Sequence, residues 1–145
     1  MTIDPQIIVF NLRAVGAIMA ALVAVNLVVP IRYHWREETA RLSLLNRQIF
    51  QAHAVFLVLT LALFSALLVG YADALVEPTR LSRAVLAGLT MFWGLRMLMQ
   101  WFFYSPAIWR GDRFHTAMHW MFSATWVYVT AVLGAALWNS VISST

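Results

Sequence analysis

Cysteine is absent from this 145-residue chain, and lysine is absent too. Without cysteine there is no disulfide framework, thiolate zinc site, iron–sulfur cluster or cysteine nucleophile. The formal charge of +4 is carried by ten arginines, scattered and several of them beside apolar runs, which suits a membrane surface better than nucleic acid. Charge of either sign is scarce: only 11% of residues are charged, while 62% are hydrophobic and 14% aromatic, with a mean hydropathy of +0.76. That composition excludes both a water-soluble domain of this size and a disordered chain. Asp4 precedes the first apolar run and Arg13 follows its beginning, so the N-terminus MTIDPQIIVFNLR does not read as a signal peptide and is expected to be retained.

What the chain has in quantity is apolar runs. A spanning helix needs about 20 such residues to cross about 30 Å of hydrocarbon. Four stretches qualify, at about 7–31, 49–71, 84–104 and 116–138. The expected fold is therefore all-α: one integral membrane domain over 1–145, with four transmembrane helices in an up-and-down bundle. In the first break, the spacing of Glu37 and Arg41 suits a short interfacial helix between the first two spans. Glu77-Pro78 reads as a turn, and Pro106 with Gly111 separates the last two helices. Small residues recur every four positions at Gly16, Ala20 and Ala24 and again at Ala131 and Ala135, predicting close helix approach, and Asn26 reads as a bond between helices.

The first and third breaks hold Arg32, Arg36, Arg41, Arg47, Arg110 and Arg113, against Arg80 and Arg83 in the second. By the positive-inside rule the first and third loops face the cytoplasm and both termini lie outside, in a plasma (inner) membrane. Trp35, Trp101, Trp109 and Trp120 then gather at the cytoplasmic interface.

All four histidines, His34, His53, His115 and His119, fall on that side. Asp112, His115 and His119 are spaced i, i+3, i+7 and share a helix face, so with His34 and His53 they are candidate ligands for a transition metal. Thr116 stands where the glutamate of an HExxH motif would be, which excludes a zinc peptidase of that type. Neighbouring Arg47, Arg110 and Arg113 oppose a bare dication but welcome the propionates of haem b, for which His53 and His119 are the expected axial pair. Phe56, Phe122, Trp93 and Trp126 would wall such a cofactor. The plainer alternative has His34 and His115 as interfacial residues, Asp112 as a helix N-cap and Glu37 paired with Arg41.

Arg96 stands eight residues before Tyr104, about 12 Å into the third span. With Gln100 and Tyr104 it forms one polar stripe; His119, Ser123, Trp126 and Thr130 form another on the fourth span, and His53 and Thr60 add polar atoms from the second. Ionisable residues at such depth face a bundle interior, a cavity or a partner. Two functional expectations follow. One is a His/Arg-lined site for haem b or a transition metal serving membrane electron transfer, with Arg47, Arg110 and Arg113 receiving acidic groups of the cofactor, a quinone or an acidic lipid. The other is a non-catalytic subunit or assembly factor of a larger membrane complex, meeting other subunits or its own copies. A transporter is the weaker third, since paired broken helices are missing.

Overall fold

The computed structural model describes residues 3–105 and 111–143, and among these there is no strand. Six helices follow in order: α1 (Pro5–Arg32), α2 (Trp35–Ala40), α3 (Leu44–Gly70), α4 (Ala72–Val76), α5 (Arg80–Phe102) and α6 (Arg113–Ile142). The four long helices fall on the four expected apolar stretches, and α2 is the short helix expected after the first. The turn at Glu77-Pro78 is present; the short α4 before it was not anticipated.

α1, α3 and α6 are each long and apolar enough to cross a membrane. α5 has the length, 23 residues or about 34 Å, but Arg80, Arg83, Arg96 and Gln100 dilute its apolar character and it does not join that set. The outer surface is rich in large apolar side chains, with Phe102 80%, Ile31 77% and Met91 75% exposed, a surface that suits a lipid bilayer and not water.

Helix starts are fixed locally by side chains that take up backbone N–H groups. Ser43 caps α3 by accepting from Asn46 N. Thr79 and Ser82 form a reciprocal capping box at the start of α5. Asp112 caps α6 through Phe114 N and His115 N, after Gly111 has turned the chain at φ +89°.

The chain forms two compact units, one from residues 1–12 and 73–145 and the other from 13–72. In the first, α5 packs on α6, burying Leu86, Leu89 and Trp93 of one helix and Trp126, Val129, Leu133 and Ala136 of the other. Its N-terminal segment is tied to α6 by Ile3 N donating to Asn139 Oδ1 at 2.8 Å and by Tyr128 OH donating to Asn11 Oδ1 at 2.8 Å. The Asn11–Tyr128 bond joins two helices, as Asn26 was expected to do. Asn26 instead donates to Leu22 O of its own helix.

In the second unit, Val15, Met19, Leu22, Leu61 and Leu68 are buried. Gly16 is the point of closest approach: a Cβ there would lie 2.7 Å from Val69 Cγ2 and 3.1 Å from Val69 N, and Ser65 Oγ donates to its carbonyl at 2.8 Å. The rest of the small-residue stripe does not make such contacts, for Ala20, Ala24 and Ala131 are exposed. Helix rotation decided this, and spacing by fours does not specify it. Gly16→Val should therefore destabilise the protein by about 1–3 kcal/mol through overpacking against α3 backbone, whereas Ala20→Val on the exposed face should change little; denaturant unfolding in detergent micelles measures both.

Candidate functional site

The two polar stripes predicted on the third and fourth spans meet where α5 packs on α6. Arg96 and Gln100 are one helical turn apart on α5, and Arg96 Nη1 donates to Gln100 Oε1 at 3.3 Å. Gln100, 6% exposed, turns its amide nitrogen to α6, where Nε2 lies 3.1 Å from His119 Nδ1. Because the amide oxygen accepts from Arg96, the amide nitrogen donates to the imidazole. His119 Nδ1 is thus the acceptor and the ring proton sits on Nε2. A charge on α5 in this way determines which atom of a histidine on α6 carries hydrogen.

Arg96 has two further partners. Its guanidinium carbon lies 4.9 Å from the centroid of Trp126 and 5.8 Å from that of Tyr104. Each aromatic face attracts the cation by about 0.5–2 kcal/mol. Trp126 also stacks with Trp93, centroids 5.1 Å apart at 14°, and with Phe122 at 6.1 Å and 13°. Below the relay, Ser123 Oγ, Trp126 Nε1 and Thr130 Oγ1 are buried without a hydrogen-bond partner among the described residues, so the lower part of the α6 stripe does not continue it.

An open cleft of about 240 Å³ lies beside these residues, lined by Arg96, Gln100, Tyr104, His115, Met118, His119 and Phe122. Asp112, bonded to the cleft residue His115, divides its carboxylate. Oδ1 caps the helix, accepting from Phe114 N at 2.8 Å and His115 N at 3.1 Å, while Oδ2 accepts from His115 Nδ1 at 2.8 Å. The His115 side-chain bond, followed by its backbone N–H, holds the Asp112 carboxyl below the usual aspartate range.

His34, His53 and Arg47 belong to the second unit. His34 takes a left-handed φ of 49° between α1 and α2, with Nδ1 4.0 Å from Glu37 Oε1. His53 is exposed and donates Nδ1–H to Ile49 O at 2.7 Å, which leaves its Nε2 lone pair outward. Phe56, expected to wall a cofactor, is 66% exposed. Arg113 stands in the first turn of α6, beside Asp112 and Thr116, away from the cleft. Arg110 and Trp109 fall outside the described residues.

Among the described residues no three His, Asp or Glu side chains come together as a metal-binding group. Asp112 acts as a cap, the shared helix face yields the pair Asp112–His115, and His119 is bonded to Gln100. Axial ligation through Nε2 requires the lone pair on that atom, with Nδ1–H donated to a second group. His119 has the reverse arrangement. Two features of the site escaped sequence reasoning: Trp126 as the seat of the Arg96 cation and Met118 as cleft lining. Both depend on the rotation of α6 against α5.

Two measurements check this geometry. Imidazole ¹⁵N shifts should show His119 protonated at Nε2 alone in the wild type, with Gln100→Leu releasing it to a tautomer mixture. Since the folded Asp112 value is depressed, its capping contribution is complete at neutral pH and is lost as the pH falls through that lowered value. Protection of the Phe114 and His115 amides, taken relative to intrinsic exchange at each pH, should fall over the same acid range, and Asp112→Ala should show that loss already at neutral pH.

Comparison with protein-family models, with curated proteins and with solved structures finds no match, so the functional reading rests on this cleft and its donors.

Proposed function

We propose that the chain is a membrane protein with α1, α3, α5 and α6 crossing in up-and-down order, and that the α5–α6 cleft binds the head of a lipid-soluble quinone for membrane redox chemistry. The crossing of α5 is supported by its length and by the partners that Arg96 finds at depth, which lower the cost of an arginine that would otherwise reach about 2.5–3.5 kcal/mol at a bilayer centre. Arginine counting supports an orientation with the α1–α3 and α5–α6 connections in the cytoplasm and both termini outside, and we take the membrane to be a plasma (inner) membrane.

The observation that carries the ligand reading is the tautomer of His119. The cleft is lined by His119, with its ring proton on Nε2, and by Arg96, two side chains whose polar groups are of donor type. A ligand matched to them presents acceptor oxygens. A quinone has two carbonyl oxygens on a flat ring, and Phe122 and Tyr104 supply aromatic lining for that ring. Donors placed at one carbonyl also stabilise the negative charge that develops there on reduction. Haem b remains a second reading on one observation, the outward Nε2 lone pair of His53.

The test uses one detergent-purified sample for an oxidised and reduced visible spectrum, elemental analysis and solvent extraction. We expect quinone in the extract, and a short-chain ubiquinone analogue should quench tryptophan fluorescence with saturation. Gln100→Leu and His119→Phe should each weaken that binding by about 10–100-fold, the range for losing a hydrogen bond to a buried polar group. A Soret band that disappears in His53→Ala overturns the quinone reading in favour of haem. A colourless, metal-free and quinone-free protein that does not bind the analogue overturns both and favours a non-catalytic subunit.

A further inference from the structure

We propose that the groove between the end of α1, α2 and the first half of α3 binds an anionic phospholipid, one acyl chain lying in the groove and the phosphate held by arginines of the segment that forms it. The groove lies wholly within the second unit and has a volume of about 630 Å³, within the range of sites that hold small molecules. The proposal rests on the membrane placement above and is independent of the α5–α6 cleft.

The sequence opens this groove in three steps. Pro30 offers no N–H to the carbonyl one turn earlier and crowds it, which loosens the last turn of α1. His34 then adopts the left-handed conformation, a region that histidine enters more readily than most residues, and the chain turns into α2. α2 has six residues and rests on one indole: Trp35 meets Phe50 edge to face at 4.9 Å, and Thr39, 8% exposed, donates its hydroxyl to Trp35 O at 2.6 Å. So short a helix covers little of the surface under it. A second recess of about 500 Å³ follows its other side and shares Trp35, Thr39 and Phe50.

The walls and rim select the occupant. Ile31, Trp35, Phe50, Ala54 and Val55 form an apolar wall that suits hydrocarbon. Arg36 and Glu37 both line the groove, and Arg32, Arg41 and Arg47 lie on the same short stretch of chain. Glu37 and Glu38 offset part of this charge, and the segment from Arg32 to Arg47 keeps two arginines in excess. Guanidinium groups match phosphate oxygens in pairs, and an arginine-rich segment directly following a membrane helix favours anionic over zwitterionic lipid. An apolar slot within a segment that carries surplus arginines has the chemistry of one lipid with a negative head.

The experiment reconstitutes the full chain into nanodiscs that contain brominated phosphatidylglycerol or, separately, the same mole fraction of brominated phosphatidylcholine. Bromine quenches a tryptophan that the labelled chain touches, and subtraction of Trp35→Phe isolates the Trp35 signal. The expected result is half-quenching of Trp35 at a several-fold lower fraction of the anionic lipid. The selectivity should fall by about fivefold for each of Arg32→Gln and Arg36→Gln and stay unchanged in His119→Phe. Native mass spectrometry supplies a second readout: retained phosphatidylglycerol in the wild type, lost in Ala54→Trp, whose indole fills the groove. Equal quenching by the two lipids, or the same quenching with and without Trp35, overturns this site alone. Failure of the protein to enter the discs overturns the membrane placement and this site with it.

Discussion

An arginine held among apolar side chains must be given partners, and meeting that requirement at Arg96 organises the unit in which α5 packs on α6. The guanidinium is served by an amide oxygen one turn away and by the rings of Trp126 and Tyr104. Each partner has a further consequence. The amide, once oriented by the cation, can only donate to His119, and Trp126 is itself stacked with Trp93 and Phe122 at the helix contact. Packing, charge and tautomer are therefore one arrangement. A neutral residue at position 96 would leave the Gln100 amide free to turn over and the histidine proton free to move.

The same need to satisfy polar groups internally is met differently elsewhere in the chain. Some hydroxyls within the long helices bond back to the carbonyl four residues earlier, as Thr90 does to Leu86 and Thr125 to Met121. Helix starts are closed by Ser43, by the Thr79–Ser82 box and by Asp112. Asn11, Asn139 and Ser65 join separate segments within their units. In an apolar surrounding, where water does not compensate an open donor or acceptor, such bonds set which faces meet. Gly16 admits the α3 backbone because its lost side chain leaves room there, and the bond from Ser65 marks the same level.

The chemistry open to each candidate histidine depends on one ring nitrogen. Read as spacing, His53 and His119 are equivalent candidates for a metal or a haem iron. Read as structure, His53 donates through Nδ1 and His119 accepts there, so their Nε2 atoms have opposite chemistry. The Asp112–His115 pair shows the same limit of spacing arguments. Shared occupancy of a helix face brought two groups together at 2.8 Å, yet one oxygen of the carboxylate is spent on the helix end.

The sequence by itself determined the helical class, the approximate extents of the four long helices, the short helix after the first, the turn at Glu77-Pro78 and the anomaly at Arg96. These follow from composition, run length and the local rules of caps, proline and glycine, which act over a few residues. It also placed Arg96, Gln100, Tyr104 and His119 on stripes, because the helical period alone assigns a face. The tertiary structure decided which stripes meet, that Trp126 receives the cation, that the stripe begun by Gly16 packs closely at Gly16 while Ala20 and Ala24 stay exposed, and which nitrogen of His119 carries the proton. Those outcomes depend on the rotation and level of one helix against another, quantities set by the fit of many side chains at once, which no single spacing along the chain encodes.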